Sequence, residues 1–358
     1  MAKLYQPHQD ALCVLYGDLE NYSRNQGTVL PGTPGSLLER KNAGGFMYYA
    51  HQYYDSNGKK LEKYLAGPVG DTAAEEKASQ LREKIASINA ILKNLRLLGR
   101  EGFKVADNKT FAITGALCNH GLFDAGALLV GSQAYGALLN KLGARAAAYT
   151  TQDVDIARGA KLVFEVAPAL GFIEMLRESG VPIVEVPRLD NREPSTSFKE
   201  SGKSLFQVDL LVPSSTEDVG IVAVPELRAH ATSLPYLRYL LGDSQEATLL
   251  AREGCCTIRI PTPERFALHK LIVSQIRKRT EKSVKDVSQA AVLIAILSER
   301  HPGAIEDAAK SIPASALDHV RRAYSVAREK LQSHPRAIDT MDSIFGIPGN
   351  REDVEVRR

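Results

Sequence analysis

The chain has 358 residues and a mass of 39.0 kDa, long enough for two or three domains, with 44% hydrophobic and 24% charged residues as in ordinary soluble proteins. A formal net charge of +3 is too small to indicate a nucleic-acid-binding protein by itself. The four cysteines include no CxxC pair and the eight histidines no HExxH motif, which argues against a disulfide-rich secreted protein and against a zinc hydrolase.

The sequence contains neither an apolar run of about 18 residues nor a signal peptide with a charged start and an apolar centre. We therefore expect a cytoplasmic protein with no membrane partner.

The region at 1–121 is predicted to form an N-terminal helix, a small β-sheet and two further helices. The first helix is expected over residues 9–22. Between residues 36 and 65, aromatic strand-forming runs alternate with Gly and Asn-Gly turns, which predicts a small antiparallel meander. Helices are expected next over 72–98 and 108–120, and apolar residues three and four apart in the first of them indicate one buried face.

Four tyrosines, Tyr48, Tyr49, Tyr53 and Tyr54, lie in the predicted meander. With basic residues nearby, such a cluster fits a surface that stacks nucleic-acid bases. The favoured alternative is that the strand buries one aromatic face against a helix.

An α/β core predicted at 122–261 begins with a Gly-Ser turn. Gly131 and Ser132 follow a buried strand at 127–130 and precede a helix expected over 133–142. Small residues at such a turn let backbone N–H groups and a helix N-terminus approach a phosphate, to which the Ser132 hydroxyl adds a hydrogen bond. An ordinary strand-to-helix turn is the alternative interpretation.

Three aspartates in short apolar strands are the most informative pattern in the chain. Asp153 and Asp155 point to the same side of their strand because side chains alternate, and Asp209 lies in a later strand. Such carboxylates cost several kcal/mol unless compensated, and Mg²⁺ is the usual compensation where no Cys or His accompanies them. We predict that the three bind one or two Mg²⁺ (or Mn²⁺) ions, with Asp209 nearest the attacking hydroxyl as ligand or proton acceptor. A solvated carboxylate pair is the alternative.

The remaining chain is predicted to be a C-terminal helical domain at 262–346 followed by a polar tail at 347–358. Pro-containing dipeptides separate its helices. These helices are expected over 263–278, 283–299, 302–312 and 314–333.

Three basic residues are candidate contacts of a triphosphate, which needs cations on its oxygens. Lys270 and Lys285 lie on the first two C-terminal helices, in a segment whose alternative interpretation is a solvated run of charges. Arg158 follows the aspartate pair and either contacts a phosphate or pairs with Glu165.

Four segments in order resemble the polymerase-beta-type nucleotidyltransferase superfamily, and more narrowly a bacterial family of stand-alone nucleotidyltransferase-like proteins. They are Leu-Val-Gly-Ser-Gln-Ala-Tyr at 129–135, Thr-Gln-Asp-Val-Asp-Ile-Ala-Arg at 151–158, the strand at 208–213 and the segment at 263–271. The resemblance covers about residues 30–300 and implies an α+β fold: a mixed β-sheet with flanking helices that carries the Gly-Ser and Asp-x-Asp elements, and a C-terminal helical domain.

The chain departs from the minimal superfamily motif in the gap between Ser132 and Asp153, which is longer here. An Ala-rich stretch at 143–150 accounts for it.

A second resemblance concerns Lys270, Lys285 and Asp286, which are similar to the Lys…Lys-Asp motif of abortive-infection toxin nucleotidyltransferases. Together the resemblances imply transfer of a nucleoside monophosphate from an NTP to a hydroxyl, with the 3′ end of an RNA such as a tRNA as first choice of acceptor. A protein side chain or a small molecule as acceptor, a toxin paired with an antitoxin, and an RNA- or nucleotide-binding module without turnover are the alternatives.

Overall fold

The computed structural model describes residues 3–147, 152–188, 190, 192–277 and 279–346. Helices and several β-sheets occur together in this part of the chain, so the predicted α+β class is confirmed. The predicted tail at 347–358, Thr151 in the Asp-x-Asp stretch and Lys278 in the basic segment lie outside the described residues.

The N-terminal region follows the expected order of helix, meander and two helices. The three strands of the meander pair antiparallel, and the Asp71 carboxylate begins the long helix by accepting hydrogen bonds from the backbone N–H groups of Ala73 and Ala74. The elements of this region are β1 (Tyr5–Pro7), α1 (Asp10–Asn25), β2 (Ser36–Lys41), β3 (Met47–Tyr54), β4 (Lys60–Ala66), α2 (Thr72–Arg100) and α3 (Asn108–Asn119).

The meander packs one face against α2. Tyr49 is buried and its hydroxyl donates a 2.8 Å hydrogen bond to Glu75 on that helix. Tyr53 is also buried, whereas Tyr54 at the end of the strand is 49% exposed. The alternative of a buried aromatic face therefore holds for two of the four tyrosines.

A seven-stranded mixed sheet forms the centre of the molecule, with strands in the order β11-β12-β10-β7-β5 and β9 and β8 continuing from β10. Its central strands β7 and β10 are parallel, and β5 is antiparallel to β7. The elements of this part are β5 (Ala127–Val130), α4 (Gly131–Lys141), β6 (Ala144–Ala146), β7 (Asp153–Arg158), α5 (Phe172–Arg177), β8 (Ile183–Glu185), β9 (Ser197–Glu200), β10 (Gln207–Pro213), β11 (Gly220–Val224), β12 (Ala229–Leu234) and α6 (Leu237–Leu240). Strand β6 pairs with β1 instead of joining the central sheet.

A separate hairpin of β13 (Ser244–Leu250) and β14 (Cys255–Pro261) follows and packs on β5 and α3. Five helices complete the described chain: α7 (Pro263–Ile276), α8 (Thr280–Arg300), α9 (Ala304–Ala309), α10 (Leu317–Lys330) and α11 (Pro335–Phe345). The first four lie within or close to the predicted helices, and α11 is an addition.

One hydrophobic core joins the central sheet to the C-terminal helices. Val208 of β10, Leu271 of α7 and Ala291 of α8 belong to the same buried cluster. Helices α7 and α8 therefore have a fixed place beside the sheet. Among the residues described, none of the helices is both long and apolar enough to cross a bilayer.

Candidate active site

The central sheet brings the three predicted aspartates to one face. Strands β7 and β10 are parallel with Asp155 opposite Asp209 and Asp153 opposite Gln207. Paired residues of neighbouring strands point to the same face, and so do residues two apart in one strand. The alternation of β10 agrees, since Val208 and Leu210 are buried on the other face.

The pKa of Asp155 reflects the closeness of the three carboxylates. Burial, and then the negative charges of Asp209 and Asp153, raise the pKa of Asp155 from 3.8 to about 6, against the opposing effect of Lys270 and Arg277. Burial and like charges both disfavour the ionised form of Asp155, so the three acids form one closely spaced group. Such a group favours a bound cation.

Neutral donors orient Asp209 within this group. The Gln207 amide donates to Oδ1 at 2.8 Å and to Oδ2 at 3.0 Å, and the Ser197 hydroxyl donates to Oδ1. Within the described ranges, no three His, Cys, Asp or Glu side chains are arranged around one point that suits a metal ion. The oxygen-only donor set fits Mg²⁺ or Mn²⁺. Asp153, Asp155 and Asp209 are the residues that would hold such an ion.

Gly131 follows the end of β5 and lies against the Asp155 side chain. Only glycine fits at this position. Its φ of +66° lies in the left-handed region, and a Cβ on it would meet Asp155 Oδ2 at 2.0 Å. Helix α4 begins at Gly131, two residues earlier than predicted, so Ser132 lies in its first turn. The N-terminus of α4 is thus adjacent to the carboxylates, where its free N–H groups favour an anionic ligand.

The Gly131→Ala variant tests this contact. We expect it to lose at least about a hundredfold in activity, because the Asp155 carboxylate has to move, and to be destabilised by about 1–2 kcal/mol through the left-handed backbone. Gly121→Ala is the matched control, since Gly121 has a φ of +65° and no atom within 4 Å of the added Cβ. The control should lose stability in thermal unfolding and keep its activity. Equal activity in both variants would contradict the role given to Gly131.

Helices α7 and α8 place three cations beside the acids. Lys270 Nζ lies 2.6 Å from Asp286 Oδ1, and Arg277 Nε lies 2.5 Å from Asp286 Oδ2. Lys270 and Asp286 are buried, and Lys270 and Arg277 act electrostatically on Asp155. The pKa of Lys285 is lowered, first by burial and then by the charge of Lys270, against the opposing effect of Asp286 and Asp153. The predicted residues Lys270 and Lys285 therefore both lie near the aspartates.

Arg158 does not join this group. It follows Asp155 by three positions, so it points to the opposite face of β7, and its guanidinium pairs with Glu226 at 3.2 Å. Its partner is therefore Glu226 and not Glu165, and it lies on the face of β7 opposite the aspartates.

Gln207 contributes to the site and was given no role from the sequence. Gln207 carried a usable signal, because it precedes Asp209 by two residues in the same strand and must share its face. The contacts of Ser197 with Asp209 and of Arg277 with Asp286 depend on long-range packing. Their positions opposite Asp209 and Asp286 have no signature in the local sequence.

Comparison with known proteins gives one match. No curated protein and no solved structure is significantly similar to the chain. A family model described as a nucleotidyltransferase matches residues 108–314, more than half of the 358 residues. The matched range contains the Gly-Ser turn, the three aspartates and the basic residues of α7 and α8. The chain therefore belongs to this nucleotidyltransferase family.

Proposed function

We propose that the protein transfers a nucleoside monophosphate from an NTP to a hydroxyl acceptor in a reaction that depends on Mg²⁺ or Mn²⁺. The observation that carries the proposal is the convergence of Asp153, Asp155 and Asp209 on one face of the sheet, next to the N-terminus of α4. Burying Asp155 beside two further carboxylates is costly to fold, and such a cost is typical of a catalytic site.

Each part of the site has a role in this reaction. Asp153 and Asp155 would hold the divalent ion, and Asp209 would orient the acceptor hydroxyl and accept its proton or join the ligand set. The chemistry supplied by a bound ion is neutralisation of the phosphates and activation of the acceptor oxygen. The acceptor oxygen bonds to the α-phosphorus, the bond between the α- and β-phosphates breaks, and pyrophosphate leaves with its electron pair.

The triphosphate has cationic and backbone partners on both sides of the acids. The N–H groups at Gly131 and Ser132 face it from the first turn of α4. Lys285 on α8 would place a positive charge near the phosphates. Lys270 would also attract them electrostatically while it stays paired with Asp286. An RNA 3′ end, such as that of a tRNA, is our first choice of acceptor.

A toxin of the abortive-infection type is a second candidate. The three positions of the Lys…Lys-Asp resemblance lie together at the site, with Lys270 bonded to Asp286 and Lys285 in the field of Asp153. In that case, expression should arrest growth and Asp155→Ala should relieve the arrest. An antitoxin would then be a further protein partner.

The decisive experiment is incubation of the purified protein with each NTP, labelled in the α-phosphate, and with total cellular RNA or protein in the presence of Mg²⁺. Label that moves with RNA on a denaturing gel supports the RNA acceptor, and label on protein identifies a nucleotidylating enzyme instead. NTP binding that depends on Mg²⁺ but releases no pyrophosphate with any acceptor would indicate a binding module without turnover.

A further inference from the structure

A cleft of about 1040 Å³ runs beside helix α4 and begins next to the candidate active site. Its α4 side contains Ser132, Gly136 and Asn140, which recur every four residues along one face of the helix. The other side comes from the C-terminal end of α2, the loop at 102–107 and the turn after β13. Its volume is slightly above the usual range for small-molecule sites, about 300–1,000 Å³.

Two hydrogen bonds between Asn140 and Lys104 hold the two walls of the cleft together. The Asn140 side chain accepts a 2.7 Å hydrogen bond from the backbone N–H of Lys104 and donates a 2.8 Å hydrogen bond to its carbonyl. Two adjacent backbone groups of the loop are thereby tied to α4. The cleft is consequently a formed feature of the fold and does not need a ligand to open it.

Positive charge predominates along the cleft. Arg96, Arg100 and Arg252 are exposed at its edge, and Lys104 is half-buried with its Nζ donating to the Ala146 carbonyl at 2.8 Å. The described wall residues include no further Lys or Arg, and two carboxylates face these four cations.

Neither carboxylate cancels the positive charge completely. Asp107 caps the N-terminus of α3, where it accepts hydrogen bonds from the backbone N–H groups of Lys109 and Thr110 at 3.0 Å. Glu253 lies in the field of Arg96 and Arg252. An excess of two positive charges remains, with Arg96 and Arg100 one helical turn apart on the same face of α2.

The position of the cleft links it to the transfer site. Ser132 lines the cleft and follows Gly131, which contacts the Asp155 carboxylate. An extended ligand can therefore lie along α4 with one end at the aspartates. The wall formed by residues 92–107 lies just before the matched range at 108–314.

We propose that the cleft binds the acceptor as a single strand of RNA, with backbone phosphates against Arg96, Arg100 and Arg252 and the 3′ hydroxyl directed toward Asp209. The proposal rests on the proposed function and specifies its acceptor. A cleft longer than one nucleotide, with several separated cations at its edge, suits a chain of phosphates. A small hydroxyl acceptor would need neither its length nor its charge.

Binding of a short single-stranded oligoribonucleotide, labelled with a fluorophore at its 5′ end and followed by anisotropy at several salt concentrations, tests the proposal. Arg96→Ala/Arg100→Ala should weaken binding about tenfold or more at low salt and reduce the slope of log K against log salt by about 1.4, or 0.7 for each lost phosphate contact. Lys77→Ala/Lys93→Ala is the matched control: both lysines are exposed on α2 and do not line the cleft. The control should bind the oligonucleotide as the unaltered protein does.

NTP binding, measured with a fluorescent NTP analogue and Mg²⁺, separates this proposal from the proposed function. The Arg96→Ala/Arg100→Ala variant should bind the analogue normally. Weaker RNA binding in that variant alone supports the cleft, even if no transfer reaction is found. The proposal is overturned if both double variants bind RNA equally, if the arginine variant loses the analogue instead of RNA, or if the label transferred by the unaltered protein goes to protein.

Discussion

Replacement of Asp153 by alanine is expected to abolish nucleotide transfer and to leave the fold intact. Asp153 shares one face of β7 with Asp155 and is partly exposed, so its removal deletes a candidate metal ligand without opening a large cavity. A bound metal contributes several kcal/mol of transition-state stabilisation, and each 1.36 kcal/mol is a factor of ten. The expected loss in the rate of labelled-nucleotide transfer is therefore about a thousandfold or more.

Asp218→Ala is the control for that variant, because Asp218 is exposed in the loop between β10 and β11. It should transfer nucleotide at the rate of the unaltered protein. Circular dichroism and thermal unfolding should show both variants folded. Full transfer activity in Asp153→Ala would refute the assignment of the site.

The short-range rules that identified the aspartates have a clear physical basis and a clear limit. Period-two alternation places Asp153 and Asp155 on the same face of any strand, whatever the rest of the fold does. The register that sets Asp155 opposite Asp209 joins segments more than 50 residues apart, and no local pattern determines it. The family resemblance supplied that link, because it associates the three positions as one motif.

The same alternation rule places Arg158 on the face of β7 opposite Asp155, and this could have been read from the sequence. An offset of three residues from Asp155 puts Arg158 on the far side of the strand, where Glu226 rather than Glu165 is within reach. By contrast, the ion pair of Lys270 with Asp286 depends on how α7 packs on α8. Helical spacing gives the face of each helix but not the partner across the interface.

Helix α11 and the cleft show two different reasons for incomplete prediction. Ala337, Met341 and Phe345 are buried at four-residue spacing after a Pro at the first helical position, so the signal for α11 was present in the sequence. The cleft is assembled from α2, a loop, α4 and the hairpin turn. Arg96, Arg100 and Lys104 are close in the sequence, but Arg252 and the α4 residues that face them are distant, so the cleft can be seen only in the folded structure.

Replacement of Asp155 by asparagine is expected to stabilise the metal-free protein while it abolishes transfer. The pKa of Asp155 is raised from 3.8 to about 6, so the folded state holds the proton more tightly than the unfolded state. The free energy of unfolding must then fall as the pH rises from about 4 to about 6, and above pH 6 the loss is constant at up to about 3 kcal/mol. The asparagine side chain of the Asp155→Asn variant carries no charge and avoids that loss.

Thermal unfolding in a chelator at several pH values measures this difference. The variant should exceed the unaltered protein in stability at pH 7, and the two curves should converge near pH 4. Added Mg²⁺ should raise the melting temperature of the unaltered protein more than that of Asp155→Asn, because an ion that binds only the folded state stabilises it by mass action. Asp218→Asn, which changes an exposed aspartate, should follow the unaltered protein throughout. An Asp155→Asn variant with the same pH dependence as the unaltered protein would show that the pKa of Asp155 is not raised in the folded protein. The cost of burying this carboxylate beside two others could then no longer be offered as the reason for a cation at this site.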